Sequence, residues 1–366
     1  MSLYNKYLPK WIGEVVGQNI PKQILLQIYN RQNFPNALLF SGIAGIGKTL
    51  LARIFSKMMN CSNICITTKL VGDEQYVPCY KCEACLSDSD IIEIDGATYT
   101  GVANIREILD NINYLPFHKY QIYIIDEVHM LSQNAFDALL LTLQNPPEHA
   151  KFIFATTNFH KLPVTFLSRC LHLPLIPINE NDFINYISMI SKTERELYNK
   201  KPIELDSTIF KILYEESEGS IRTGLNFIEL LSYLDDVNID MVYDYLKIVS
   251  PSKVLQLLEM VLNGKTSEAI KEWIELKSMG YDDKRFLHRL SKIINELTMA
   301  ILNKEVNTSS FLLQKYNISL KLLVAFWEIV INQMEAIYNG CINVTETTLL
   351  LLSLVDDENF SINYMG

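Results

Sequence analysis

The sequence predicts an α/β fold, a parallel sheet with helices on both faces, followed by two all-helical parts. Three observations carry that prediction. As far as about Ile178, short apolar β-rich runs alternate with helical stretches, the pattern of strand–helix–strand crossovers. Within that region Gly42-Ile43-Ala44-Gly45-Ile46-Gly47-Lys48-Thr49 fits G-x-x-x-x-G-K-[ST] and sits between a strand run and a helical stretch. Beyond Pro177 the strand runs stop and apolar residues recur at helical spacing.

Taken in order, the expected strands are 37–40, 91–94, 122–125, 152–155 and 171–175, each a short apolar run rich in β-branched or aromatic residues. Helices are expected at 20–30, 48–59, 105–114 and 134–143 between them, then at 178–191, 209–216 and 222–234 as a small bundle. Ser250-Pro251 marks a boundary, because proline fits the first turn of a new helix. A second helical block follows at 254–262, 268–278, 283–302, 320–338 and 346–355. Its stripes, Leu255-Leu258-Val261-Leu262 and Leu322-Leu323-Phe326-Ile329, suit helix packing, as does 349–352. The expected division is 1–178, 179–249 and 250–366.

Composition narrows the function classes. Hydrophobic residues make up 49% of 366, and Gly 14 with Pro 12 is too little for a linker-rich chain, so most of it should be packed. Lys+Arg 32 against Asp+Glu 42 leaves a net charge of -10, which argues against a generally basic nucleic-acid coat. No apolar run approaches the ~18 residues that span a bilayer, and the opening MSLYNKYLPKW lacks the apolar core of a signal peptide. A cytoplasmic location with no membrane partner is the expectation. Of seven cysteines, five fall between Cys61 and Cys85, which in a reducing compartment points to metal rather than disulfides.

The glycine loop has a definite chemistry. Its backbone N–H groups can curl around phosphate oxygens, and the following helix N-terminus adds positive potential. Gly42, Gly45, Ile46, Gly47, Lys48, Thr49 and Leu50 form the candidate ATP cradle, with Lys48 reaching the β- and γ-phosphates and Thr49 ligating Mg²⁺. The apolar strand 122–125 delivers two carboxylates, Asp126 toward the metal and Glu127 to polarise the attacking water. Downstream of the loop, Cys79-Tyr80-Lys81-Cys82-Glu83-Ala84-Cys85 reads C-x-x-C-x-x-C. Tetrahedral Zn²⁺ needs four ligands, so the fourth comes from Cys61 or Cys65. A site of four thiolates keeps no open position, which makes the zinc structural.

A family resemblance rests on particular residues. Asp126-Glu127-Val128-His129-Met130-Leu131, Pro146-Pro147-Glu148-His149, Ala155-Thr156-Thr157, Lys161-Leu162-Pro163-Val164-Thr165 and Ser168-Arg169-Cys170 follow one another in the order seen in clamp-loader ATPases. With Lys6-Tyr7-Leu8-Pro9, Val16-Gly17-Gln18 and Gly219-Ser220-Ile221-Arg222, the chain resembles the bacterial DNA polymerase III gamma/tau family. The similarity is clear over about 4–250 and weaker beyond. It implies an AAA+ core at 1–178 with a zinc module at about 61–85, a helical lid at 179–249 and a helical collar at 250–366. It also implies a five-subunit ring that opens the sliding clamp and closes it on primed DNA, in a nucleoid-associated bacterial replisome. DNA synthesis itself would belong to another subunit.

The resemblance assigns roles residue by residue. Thr157 matches a sensor of the γ-phosphate, Arg222 a second sensor on a lid helix, and Arg169 an arginine finger offered to the neighbouring subunit's ATP. Tyr7, Pro9, Val16 and Gly17 would lie near the adenine, while Cys170 reads as small and buried. The module's first cysteine is implied just after the helix, which favours Cys61 over Cys65. Three features depart from the family. The stretch from Cys61 to Cys79 is longer than usual; the segment 95–106 has only Arg106 as a basic residue; and Leu141, Gln144 and Asn145 stand where a lysine and paired glutamates are usual. Direct DNA contact by this subunit should therefore be weak. No long extension is expected after the last helical block, which would make the chain resemble the shorter gamma form. Two rival readings, a branch-migration helicase and a non-hydrolysing scaffold, are opposed by the cysteine cluster with Ser168-Arg169-Cys170 and by intact Lys48, Thr49, Asp126 and Glu127 respectively.

Overall fold

The computed structural model describes residues 2–67, 75–87, 89–98, 101–197, 207–303, 311–316, 318–338, 341 and 343–355. Of the 95–106 segment, Tyr99 and Thr100 lie outside the described residues. The chain divides into two compact units, Met1–Asp236 and Val237–Gly366.

The first unit runs α1 (Leu3–Lys6), α2 (Asn19–Arg31), β1 (Ala37–Ser41), α3 (Lys48–Asn60), β2 (Cys65–Thr67), β3 (Gln75–Val77), α4 (Glu83–Leu86), β4 (Ile91–Asp95), α5 (Val102–Asp110), β5 (Gln121–Asp126), α6 (Gln133–Gln144), β6 (Ala150–Thr156), α7 (Val164–Leu167), β7 (Leu171–Pro174), α8 (Glu180–Leu197), α9 (Ser207–Ser217) and α10 (Ile221–Ser232). Five strands form one sheet in the order β4-β5-β6-β1-β7, every neighbouring pair parallel. Every residue of β1 and β6 is buried, as expected of parallel strands covered on both faces. The two-residue period of the strands sorts the core into two layers. Leu38, Phe40, Ile122, Ile124 and Ile153 pack with Leu25 of α2 and with Leu51 and Phe55 of α3. Leu39, Tyr123, Ile125, Phe152 and Phe154 pack on the other side with Ile105 of α5, Phe136 and Leu139 of α6, and Phe166 of α7.

Register explains where the site forms. Ser41 pairs with Thr156 and Asp95 with Asp126, so the carboxyl ends of the central strands lie along one edge of the sheet. In an open parallel sheet that edge, where neighbouring crossovers diverge, is where ligands bind. Helices α8–α10 group with this unit. Gly224 of α10 lets α8 come close, since a Cβ there would stand 2.6 Å from the Phe183 ring. Arg195, buried on α8, donates to the carbonyls of Leu231, Leu234 and Asp235 and so caps the end of α10. Buried Glu194 holds both Lys6 Nζ (2.7 Å) and Tyr7 Oη (2.5 Å), which fastens the N-terminal segment onto α8.

The second unit is all helical: α11 (Ile239–Leu246), α12 (Pro251–Leu262), α13 (Thr266–Ser278), α14 (Asp283–Asn303), α15 (Phe311–Tyr316), α16 (Leu320–Tyr338) and α17 (Val344–Ser353). Ser250 caps α12 through the Lys253 amide with Pro251 in the first turn, as the sequence indicates. Its core joins Val254, Leu258 and Val261 of α12, fully buried Trp273, the α14 stripe of Phe286, Leu290, Ile294 and Leu297, and Leu323 and Phe326 of α16. Leu349 and Leu352 are core, while Leu350 is 49% exposed. Among the described residues no helix is long and apolar enough to cross a membrane.

Several expected boundaries move. Helix α5 spans Val102–Asp110 instead of 105–114, stopping short of Leu115-Pro116, where the residue before proline disfavours helix. Helix α8 starts two residues later than expected and runs on to Leu197. Among the described residues seven elements escaped the pattern reading: helices α1, α4, α7, α11 and α15 and the antiparallel strands β2 and β3, all too short for periodicity to register.

Candidate functional site

Three elements end at the same edge of the sheet and build a pocket there. The loop after β1 turns into α3, β5 ends in Asp126, and α8 and α10 close over the opening. Tyr7, Pro9, Val16, Gly45, Ile46, Gly47, Lys48, Thr49, Leu50, Asp126, Glu127 and Arg222 line it. Tyr4, Leu8, Val15, Ala44, Ile178, Tyr186, Ile221 and Leu225 line it too, and sequence reasoning missed them. Leu8, Ala44 and Ile221 stand within the motifs named above but were given no role, while Tyr4, Val15, Ile178, Tyr186 and Leu225 lie outside them. Gly17 and Gly42 are not lining residues. Gly42 instead holds the chain close to its neighbour, because a Cβ there would lie 2.5 Å from the Leu175 carbonyl oxygen.

Gly45 shows why the loop demands glycine. Its φ is +75°, and a Cβ would meet Ser220 Oγ at 2.3 Å and Arg222 Cβ at 3.0 Å. The phosphate loop therefore lies directly against the start of α10. Lys48 is buried and donates to the carbonyls of Gly42 (2.9 Å) and Ile43 (3.0 Å). Burial lowers its pKa and Arg222 adds to that, while Glu127 and Asp126 work the other way. Thr49 Oγ1 donates to Asp126 Oδ2 at 2.5 Å, which puts two hard oxygen donors side by side, a set that suits Mg²⁺. Asp126 Oδ1 accepts from the Glu127 amide at 2.9 Å.

Glu127 is left-handed at φ 45°, and its Oε2 accepts from the Thr157 amide (3.0 Å) and hydroxyl (2.8 Å). Thr157 follows β6 directly, so it reaches the acid without lining the pocket. Arg222 stacks over the Tyr4 ring at 4.5 Å and donates to its hydroxyl at 2.8 Å. Arg169 lies outside its own chain's pocket. It is exposed at the end of α7 and donates to the Thr165 carbonyl at 2.6 Å. Cys170 packs against the core, and burial pushes its thiol up to about 12. Arg106 is exposed.

The cysteine cluster assembles at the other end of α3. Cys61, Cys79, Cys82 and Cys85 bring all four sulfurs within 4.8 Å of one another. Cys61–Cys82 and Cys79–Cys85 stand 3.9 and 4.0 Å apart, close to the ~3.8 Å edge of a tetrahedron with Zn–S bonds of ~2.3 Å. Cys65 is exposed, its sulfur turned to the Asn63 carbonyl, so of the two alternatives the fold gathers Cys61. Backbone amides support thiolate charge: Cys79 N donates to Cys61 Sγ (3.3 Å) and Cys82 N to Cys79 Sγ (3.2 Å). At Cys82 burial works upward, yet hydrogen bonding from the Ser62 backbone and the Cys79 and Cys85 thiols brings the thiol down to about 6. At Cys85 burial wins and raises it. The donor set and its spacing fit a tetrahedral zinc ion.

Comparison with known proteins agrees with the geometry. Residues 17–179 match the family described as DNA polymerase III, delta subunit. The DNA polymerase III subunit gamma of Buchnera aphidicola subsp. Schizaphis graminum is 33% identical over 339 residues, covering 87% of this chain and 89% of that one. The DNA polymerase III subunit tau of Escherichia coli is 33% identical over 319 residues, covering 83% of this chain and 47% of tau. The solved Thermotoga maritima RuvB Holliday junction branch migration motor is similar at 16% identity and a TM-score of 0.47, over 78% of this chain and 91% of that one. The chain belongs to the DNA polymerase III subunit gamma/tau family.

Proposed function

We propose that the pocket between the loop after β1 and helix α10 binds ATP with Mg²⁺ and hydrolyses it to drive loading of the sliding clamp onto primed DNA. The observation that carries this reading is the convergence of Lys48, the Thr49–Asp126 pair and Glu127 at one strand edge, with Arg222 across from them. Lys48 leaves its loop carbonyls for the β- and γ-phosphates, the ammonium losing two neutral partners and gaining anions. Thr49 and Asp126 hold Mg²⁺, whose charge offsets that of the phosphates when bound. Glu127 accepts a proton from the attacking water. Thr157 reports the γ-phosphate, because its hydroxyl can exchange Glu127 for a phosphate oxygen. Arg222 closes α10 over the nucleotide. Tyr7, Pro9 and Val16 surround the adenine, with Gly17 next to them outside the pocket wall.

Arg169 acts on the neighbouring subunit's nucleotide; its exposure outside its own pocket supports this, and a planar, permanent cation suits the task. Zinc held by Cys61, Cys79, Cys82 and Cys85 is structural. The core 1–178, lid 179–249 and collar 250–366 work within a five-subunit ring in a cytoplasmic, nucleoid-associated replisome. This subunit's own grip on DNA is weak. Clamp- and DNA-stimulated ATPase on the reconstituted loader tests the reading. Arg169→Ala should abolish stimulated turnover and leave nucleotide binding intact, and unchanged turnover removes Arg169 from the mechanism. A Lys48→Ala subunit that loads clamps at the normal rate would favour the scaffold reading.

A further inference from the structure

The carboxylate of Glu127 has a partner that the roles above do not use. His129, in the one-turn helix Val128–Met130 just after β5, places Nδ1 3.2 Å from Glu127 Oε2 and 3.0 Å from Thr156 Oγ1. Its side chain is 10% exposed, so the contact is shielded, while that of Glu127 is 29% exposed. The hydrogen bond of Nδ1 runs to Thr156 Oγ1, which also accepts the Asn158 amide at 3.1 Å. Glu127 Oε2 stands beside that bond as an ion-pair neighbour of the ring and accepts both donors of Thr157.

We propose that His129 is a positioning residue for Glu127. It fixes one carboxylate oxygen so that the other, Oε1, faces the attacking water. The inference rests on the ATPase reading of the same site and adds a division of labour to it. The Thr157 hydroxyl can turn toward a phosphate and leave Glu127 during turnover. The imidazole is wedged between Glu127 and Thr156 on adjacent strand ends and stays. Without it the carboxylate would lose its remaining side-chain anchor at the moment its orientation matters. A base that samples several rotamers spends little time aligned with the water, which costs rate and not nucleotide affinity.

The test uses the reconstituted loader with His129→Phe, which keeps a ring of similar size without the donor, and His129→Asn, which restores an N–H near the Nδ1 position. We expect His129→Phe to lower stimulated kcat about 10- to 100-fold while KM and the ATP dissociation constant stay near wild type. His129→Asn should recover most of the loss. In a Glu127→Gln background, His129→Phe should cost nothing further, because the carboxylate it orients is gone. Wild-type kcat in His129→Phe overturns the proposal. So does an equal loss in both His129 variants, or an added loss in the Glu127→Gln background, either of which marks a merely structural role. The two levels separate cleanly. A wild-type subunit that neither binds nor turns over ATP defeats the site assignment and this inference together, whereas normal wild-type turnover with an indifferent His129→Phe defeats only the inference.

Discussion

The nucleotide pocket and the cysteine cluster stand at opposite ends of one helix. Helix α3 begins at Lys48 and ends at Asn60, about 18 Å apart at ~1.5 Å per residue, and Cys61 follows it directly. At the first end the groups complement one another. An ammonium rests on carbonyls, a hydroxyl on Asp126, and Glu127 on Thr157. At the second end four groups of one kind converge, and as thiolates they repel unless a cation joins them. The pocket's polar groups are thus paired among themselves, while the four thiols of the cluster form a donor set that suits a metal ion. A catalytic site must release what it binds, and a structural one must not.

The largest effect should come from charge in the pocket. Lys48→Ala should reduce stimulated ATP turnover by about 100- to 1000-fold, measured on the assembled loader, because a preorganised cation at developing phosphate charge is lost. The fold should not weaken, since burial already disfavours that ammonium. A clear drop in melting temperature would break the contrast by making the pocket structural as well.

The next effect belongs to the other end of α3. Cys82→Ser should lose its zinc and destabilise the 61–85 module by several kcal/mol, read by metal analysis and by hydrogen exchange of that segment. ATP affinity should hold, and Cys65→Ser should retain full zinc. Undiminished zinc in Cys82→Ser ends the assignment.

Gly45→Ala tests geometry instead of charge. The added Cβ meets Ser220 Oγ at a φ of +75°, so a cost of about 1–3 kcal/mol should appear in ATP affinity or stability. Titration calorimetry of nucleotide binding would show it, and an unaltered affinity and melting point would mean that the loop and α10 separate freely.

The smallest effect concerns Glu194, which ties Lys6 and Tyr7 to α8 beside the pocket. Burial pushes its carboxyl upward, but the hydrogen bonds from Lys6 and Tyr7 outweigh it and hold the pKa below the usual value. A depressed carboxylate contributes stability at neutral pH that is lost as pH falls through its folded-state pKa. Glu194→Gln should therefore cost about 1 kcal/mol at neutral pH and nothing at acid pH, measured by denaturation at several pH values. A loss that persists in acid would show that packing, not charge, holds the segment.

How much of this was legible depended on how local the signal was. The glycine loop, the acids ending β5 and the C-x-x-C-x-x-C run are each contiguous, and each announces a geometry its neighbours enforce. Tyr4, Tyr186 and Ile178 carry no such mark. They reach the pocket because the N-terminal segment and α8 meet above the loop, a meeting set by Glu194 and by long-range packing. His129 lay in plain view within Asp126-Glu127-Val128-His129, but only the left-handed turn at Glu127 brings its ring back against the carboxylate. Likewise, spacing left Cys61 and Cys65 both open, and the choice fell to β2, which places Cys65 in a strand with its sulfur exposed.

By itself the sequence determined the kinds of groups on offer: a glycine loop with Lys48 and Thr49, two acids at the end of a strand, a cluster of cysteines and an alternation of strands and helices that forms a parallel sheet. Tertiary structure alone decided which parts touch. It brought α10 against the glycine loop, stood Arg222 on Tyr4 and set Thr157 and His129 around Glu127. The reason is physical. Motifs encode backbone conformations and ligand types over a few residues, while contacts between distant segments depend on how whole faces bury against each other.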